Sequence, residues 1–291
     1  MLLKLTNQCS LLEDLHISYL ALKHIYISKP QKLKIISIRE LPDELQSVQI
    51  VVPSLEQFSL NCKDSILIDM VECPNLMMLE LTGVLLTDHE FRVLISSFPL
   101  LEDLNVIYCL HLERITISSN LLKNLSIGHC LNLMAIDIDA PNLLSFRYYD
   151  NPVPISSINE FLTGSKQIED VILTVSSKKK NSFNFDECRE TLLDGLFEVC
   201  YPRTLYVLRI KDSSFIEWLY ENLMNVDASC CDSHDIKCWR HYLKDFKIGG
   251  FLMYEIGVRK LLRVDNLKSM KDALRQYGTG TFLFHLDWCF P

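Results

Sequence analysis

Cys73 to Cys109 reads CPNLMMLELTGVLLTDHEFRVLISSFPLLEDLNVIYC. Leu76, Leu79 and Leu81 stand at the spacing L-x-x-L-x-L, and Leu101, Leu104 and Val106 repeat it 25 residues later. A proline precedes each first leucine by two residues (Pro74, Pro99). The last two apolar residues of each triad alternate with polar ones, the pattern of a strand with one buried face. Between the triads, TDHEFRVLISSF opens with Thr87 and Glu90 at capping-box spacing and predicts a helix. The stretch is one turn of a repeat: strand, helix, strand.

Working outward, triads begin at Leu12, Leu33, Leu55, Leu76, Leu101, Leu122, Leu143, Ile168 and Leu205, in steps of 21, 22, 21, 25, 21, 21, 25 and 37 residues. That period is the one at which leucine-rich repeats (LRRs) recur. A single such strand cannot bury its apolar face, whereas stacked copies form a parallel sheet over a continuous core. Proline before a strand fixes the turn and stops a preceding helix. Second apolar triads, Leu22-Ile25-Ile27, Leu45-Val48-Ile50, Leu112-Ile115-Ile117 and Leu133-Ile136-Ile138, predict short strands on the convex side. The longer steps hold the helical patterns, at 87–98, 157–165 and 184–200. The expected fold is α/β: a curved LRR solenoid over residues 1–211, its parallel sheet on the concave side, followed by a C-terminal α/β cap over 212–291.

Composition narrows the function. The 291 residues are 48% hydrophobic and 23% charged, with a net charge of −8. An acidic chain has no general attraction to nucleic acid or to anionic membranes. The one basic run, Lys178-Lys179-Lys180, reads as a solvated loop. Eleven cysteines, an odd number, are scattered through apolar periodic segments. This fits buried thiols in a reducing compartment better than a disulfide framework. No signal-peptide pattern opens the chain, and no uncharged apolar run approaches the roughly 18 residues that span a bilayer. The expectation is a soluble protein of cytoplasm or nucleus, with no nucleic-acid or membrane partner.

Two triads carry a cysteine eight residues after their first leucine, Leu101 to Cys109 and Leu122 to Cys130. This form, with the phrases CPNLMMLEL, FPLLEDLNV, LLKNLSIGHCLNLMAIDIDAPNLLSFRYYD and FHLDWCFP, resembles plant F-box/LRR proteins. CWRHYLKDFKIGGF (Cys238 to Phe251) is similar to the start of their FBD-type tail. The resemblance implies the substrate-recognition part of an SCF-type ubiquitin ligase, in which an F-box holds a Skp1-like adaptor and the repeats hold the target. The F-box is the part without a counterpart. LPDEL (Leu41 to Leu45) imitates its opening but leads into a repeat-like strand pattern. The first triad, at Leu12, has no polar cap before it, so further N-terminal sequence or a lost F-box is expected, and the adaptor is a partner only if an F-box lies upstream. Two other readings are an independent LRR scaffold without ligase function and a fragment of an immune-receptor LRR.

No catalytic or nucleotide-binding motif stands out, and no enzyme activity or cofactor is expected. Cys230, Cys231, His234, Cys238 and His241 offer zinc-type ligands, but their spacing fits no common paired-knuckle pattern. Alternation turns Phe146 and Tyr148 inward and Tyr149 outward. The polar positions between buried ones fall on the concave face: His16, Ser37, Ser59, Glu80, Asn105, Ser126, Arg147, Ile172 and Arg209, flanked by Arg39, Asn61, Thr82, Ile107, Tyr149 and Lys211. From these, Glu80, Asn105, Arg147, Tyr149, Arg209 and Lys211 form the candidate site for a target protein, because exposed Arg and Tyr are enriched at interfaces. In the tail, 213–226 has helical periodicity with Ser214 and Glu217 at capping-box spacing. A strand is expected at 244–248 ending at Gly249-Gly250, then a helix, then a last strand in TGTFLFHLDWCF, and the tail as a whole is expected to dock on the final turn and shield its open edge.

Overall fold

The computed structural model describes residues 2–5, 11–19, 21–28, 30–39, 45–62, 66–70, 72–149, 168–174, 193–197, 200–210, 213–224, 238–255 and 258–289. The chain divides into two compact units, Met1–Leu143 with Asn151–Val153, and Leu144–Asp150 with Pro154–Pro291.

In chain order the first unit has β1 (Leu2–Leu5), β2 (Asp14–Ser18), β3 (His24–Ser28), β4 (Ile35–Arg39), β5 (Ser47–Val51), β6 (Gln57–Asn61), β7 (Leu67–Asp69) and β8 (Met78–Thr82). Helix α1 (Asp88–Ser96) follows, then β9 (Asp103–Ile107), β10 (Arg114–Ser118), β11 (Asn124–Gly128) and β12 (Ala135–Asp139). The main triads form one parallel sheet in the order β2-β4-β6-β8-β9-β11. The secondary triads form a second layer of parallel strands, β1-β3-β5-β7 and β10-β12. Each residue pairs with its equivalent one repeat away, as in Leu79 opposite Leu104 and Leu104 opposite Leu125. This is an LRR solenoid.

The two rows of strands enclose the core. Leu33, Leu55, Leu76, Leu101, Leu122 and Leu143 expose 3% or less, and Ile25, Val48, Ile115 and Ile136 on the other row expose 6% or less. A recurring device holds successive strands together: one carbonyl accepts two consecutive N–H groups of the next repeat. The Glu56 carbonyl accepts from Met77 N (2.8 Å) and Met78 N (3.0 Å), and the Glu113 carbonyl from Met134 N (2.7 Å) and Ala135 N (3.1 Å). Ahead of β10 there is a helix instead of a strand. There Asp88 supplies the acceptor, its Oδ1 taking Glu113 N at 2.9 Å and Arg114 N at 3.1 Å. Helix α1 starts where the capping box predicts, with Thr87 as N-cap and Glu90 closing the box.

Strands β1 and β7 go beyond the sequence reading. In SILID, Ile66 and Ile68 flank a Leu67 that is 70% exposed, so no leucine triad marks β7. Leu45, which ends LPDEL, is buried and leads into β5, while Leu41 to Glu44 lie outside the described residues.

The second unit contains β13 (Ser145–Tyr149), β14 (Asp170–Thr174), β15 (Thr204–Ile210), α2 (Ser213–Met224), β16 (Leu243–Glu255), β17 (Val258–Leu262), α3 (Leu267–Tyr277) and β18 (Gly280–Trp288). Eight main triads end in strands in the expected register. In the ninth the buried pair is Leu205 and Val207, opposite Val171 and Leu173, while Leu208 is half-buried, so the row of Arg147 and Ile172 continues to Tyr206 and not to Arg209. β13, β14 and β15 run parallel, and β18, β16 and β17 continue the order antiparallel. A strand, β18, forms where TGTFLFHLDWCF alternates, and it is this part of the tail that occupies the edge of β15. Helix α2 buries Phe215, Ile216, Leu219 and Leu223, the periodic residues of that segment.

A second expectation is corrected. Gly249-Gly250 does not end the strand, because β16 runs through it to Glu255. The register shifts between Ile248 and Gly250, and Gly250 sits at φ +145°, so the pair forms a bulge. A Cβ on Gly249 would lie 2.5 Å from His285 Nε2, so a larger residue there requires the exposed imidazole to move aside. The helical segment at 157–165 and most of that at 184–200 lie outside the described residues; 193–197 is helical.

Candidate protein-interaction surface

In the first unit the polar positions of each triad line up across the sheet. His16 pairs with Ser37, Ser37 with Ser59, Ser59 with Glu80, Glu80 with Asn105, and Asn105 with Ser126. This row faces away from the leucine core. His16 is exposed and Ser59, Glu80 and Asn105 are half-buried. Ser37 and Ser126 expose only 6% and 5%, so the small residues form a floor between larger neighbours.

A connected polar cluster spans three repeats of this face. The Ser59 hydroxyl donates to Glu80 Oε2 at 2.8 Å, and Arg39 donates to Ser59 Oγ at 3.4 Å. Arg39 also lies 3.5 Å from the same carboxylate oxygen. The cluster orients Glu80 without burying it, leaving carboxylate and guanidinium open to a partner. Asn124 donates to Asp103 on the flanking row. Just ahead of the strands, the partly exposed pairs Lys34–Glu56 and Lys123–Glu102 join adjacent repeats at 2.8 Å each. The hydrogen bond and charge of Glu56 raise the Lys34 ammonium above its ordinary value.

Other repeating positions shape the rims. Asn75 and Asn142, each before the first leucine of a main triad, donate 2.7 Å to the carbonyls of Pro53 and Asn120, 22 residues earlier, and Asn132, in the turn that follows β11, donates 2.7 Å to Leu110 O at the opposite rim. Ser54 does the same to Leu33 O at 2.8 Å. At the opposite rim, the residue seven after the first leucine has left-handed backbone: Tyr19 (φ 57°), Gly83 (73°), Tyr108 (57°) and His129 (54°). The rings of Tyr108 and His129 stack with centroids 4.4 Å apart and planes 7° apart. In the sequence Asn75, Asn132 and Asn142 are marked by the recurring PNL and LNL tripeptides. The left-handed rim had a cue only at Gly83.

Cys109 and Cys130 end these turns and are fully buried. Their sulfurs lie 3.8 Å from the carbonyls of Leu81 and Val106. Burial pushes the thiols up to about 12 and about 11, so they are packing groups at neutral pH.

In the second unit, Arg147 is exposed on β13 and pairs with Ile172, which pairs with Tyr206. Burial and then the nearby Asp170 carboxylate raise the Tyr206 phenol, while Arg147 acts in the opposite direction. Phe146 and Tyr148 point inward, 0% and 3% exposed. Tyr149 and Arg209 occupy strand positions, but their side chains lie outside the described residues, as does Lys211 altogether. The structure thus brings Glu80 and Asn105 together in one register row and sets Arg147 on a row of its own unit.

Among the described residues no three His, Cys, Asp or Glu side chains converge as a metal site. Of the zinc-type set, Cys230, Cys231 and His234 fall outside them, as does the Lys178–Lys180 run. No helix among the described residues is long and apolar enough to cross a membrane.

A search of curated proteins finds no match to the chain. Residues 54–165 match the model of a plant protein family described as the At1g61320/AtMIF1 LRR domain, so the repeats, which the geometry identifies independently, are similar to a known plant LRR domain.

Proposed function

We propose that this chain is the target-recognition part of an F-box-type ubiquitin-ligase subunit, and that the open face of its main sheet receives the target protein. LRR domains serve as protein-binding modules, and the family match at residues 54–165 supports that role for these repeats. The observation that carries the docking face is the in-register row Ser59, Glu80, Asn105, half-buried and joined to Arg39 by a cluster that holds charge in a fixed orientation. Oriented charge on a preformed face gives specificity and fast encounter. In this reading Arg147, Tyr149, Arg209 and Lys211 offer the target a further contact surface on their own unit, and repeats give way to an FBD-like cap after residue 211. The ligase assignment rests on the resemblance of CPNLMMLEL, FPLLEDLNV and the CWRHYLKDFKIGGF tail to plant F-box/LRR proteins, and the protein acts in cytoplasm or nucleus.

Affinity capture from plant extract tests both levels. Wild type should retain a defined protein that Glu80→Arg with Asn105→Arg, and separately Arg147→Ala with Arg209→Ala, fail to retain while melting normally. Identical capture by all forms would sink the docking face. The ligase link stands if an in-frame F-box is encoded 5′ of Met1 and that product co-purifies with a Skp1-like adaptor. Target capture with neither result makes the protein an LRR scaffold.

A further inference from the structure

The left-handed rim position recurs in adjacent repeats with different side chains. Gly83, Tyr108 and His129 each follow the main strand of their repeat, and Gly83 N donates to Ile107 O (2.8 Å) as Tyr108 N donates to Gly128 O (2.9 Å). They are therefore equivalent rungs of one ladder. The 4.4 Å ring spacing of Tyr108 and His129 is close to the pitch of roughly 4.8 Å between paired strands, so the fold itself sets the stack. His129 covers one face of the Tyr108 ring. On the other side the next rung is Gly83, which has no side chain, and Tyr108 remains 49% exposed. Its hydroxyl has no hydrogen-bond partner among the described residues. Two of three rungs are filled by planar groups, and at the third no side chain of the described residues is seen to cover the ring.

We propose that this third rung is a stacking slot for an arginine side chain of the protein bound on the adjoining sheet face. The proposal rests on the protein-binding reading above and deepens it. A flat π face takes a guanidinium or an aromatic ring, and the chain's net charge of −8 favours the cation. Arginine stacks through its plane, whereas the compact lysine ammonium does not. Ile107, half-buried on the neighbouring flank, gives the methylene stem an apolar surface. The slot is rigid because Tyr108 is fixed by its backbone hydrogen bond and by the stack.

The test is a phage-displayed library of random peptides selected on the full chain, with winning peptides resynthesised. Selected peptides should hold an arginine whose replacement by lysine weakens binding roughly 3- to 30-fold, the range of one cation–π contact. Tyr108→Gly should weaken the arginine peptide by the same factor and leave the lysine peptide unchanged, while Tyr108→Phe binds like wild type. Glycine is the residue the neighbouring repeat carries at this rung, so Tyr108→Gly relieves left-handed backbone and folds. Additive losses, or Tyr108→Gly binding within about twofold of wild type, overturn the slot. Binders lost in Glu80→Arg but kept in Tyr108→Gly overturn the slot and leave the docking face standing. A library that yields no binder to wild type overturns both.

Discussion

At the scale of single residues, the solenoid is fixed by side chains that contribute nothing to its surface. Cys73, Cys109, Cys130 and Cys200 are 0% exposed, and burial lifts their thiols to about 11, 12, 11 and 12. A protonated, desolvated thiol is a poor nucleophile. Iodoacetamide at pH 8 should therefore label Cys289, which is exposed, and reach these four only after denaturation. Peptide mapping that finds Cys109 or Cys130 alkylated in the native protein would contradict their burial. The same shifts fix a pH dependence. The folded value lies above the ordinary 9.0, so the thiol's contribution to stability is complete below pH 9 and is lost as pH rises towards 11–12. The stability gap between wild type and Cys109→Ala should narrow over that window, and a gap constant from pH 8 to 11 would refute it. Cysteine at the eighth position was legible as packing, since it recurs where a small apolar group ends each turn. The left-handed residue before it was not, because Tyr and His carry no signal for a backbone that costs an L-residue roughly 1–2 kcal/mol.

At the scale of elements, α1 shows how a repeat admits a helix where its neighbours have a strand. The helix removes the carbonyl that would have accepted two N–H groups of the following repeat, and Asp88 restores it with one carboxylate oxygen. Thr87 and Glu90 close the capping box one residue earlier, with Thr87 N and Thr87 Oγ1 each 2.8 Å from Glu90 Oε2. Asp88→Ala strands two N–H donors and should cost about 1–2 kcal/mol in urea unfolding, while Asp88→Asn retains an acceptor and costs less. Thr87→Ala should cost about 1 kcal/mol. Equal midpoints for Asp88→Ala and wild type would show that the bridge contributes nothing. The Thr87 backbone N–H and hydroxyl hold the Glu90 carboxyl below its usual range, so its contribution is present at neutral pH and fades as acid protonates it. The capping box of α1 and the first eight main strands were legible, because each is a local pattern with its own period. β15 lies out of the expected register, its buried pair being Leu205 and Val207, and α2 begins at Ser213, ahead of the Ser214 cap expected for it. β7 and the bulge at Gly249-Gly250 were not legible. A three-residue strand is shorter than the window that reveals alternation, and a glycine pair means a turn in most contexts. Only the antiparallel partner β18, far along the chain, decides that β16 continues.

At the scale of whole units, parallel repeats create a problem of ends. Each turn is stabilised by its neighbours, so the last strand of a stack presents open backbone groups. The second unit meets this by reversing direction: β18 pairs antiparallel with β15 along Thr204 to Leu208, and β16 and β17 follow. What locks β18 in place is an aromatic cluster built from distant segments. Phe197 meets Trp239 at 4.9 Å and Trp288 at 5.2 Å, and Trp288 meets Tyr201 at 5.2 Å and donates to Pro202 O at 2.9 Å. Asp194 accepts from Trp239 Nε1 at 2.6 Å and from Arg240 at 2.8 Å, and Arg240 lies over the Trp239 ring. The phrases CWRHYLKDFKIGGF and FHLDWCFP, separate in sequence, thus share one physical task, which is why each looked distinctive without revealing a site. Trp239 is 2% exposed, and Trp239→Ala should destabilise this unit by about 3–5 kcal/mol. Amides of β18 and β15 should then exchange far faster than in wild type, since losing the lock releases the strand that covers the edge. Asp194→Asn, which keeps an acceptor for the indole N–H while removing the charge that Arg240 meets, should give a smaller acceleration in the same strands. Unchanged exchange in β18 of Trp239→Ala would mean that ladder hydrogen bonds alone hold the final strand, and the cluster would lose its role.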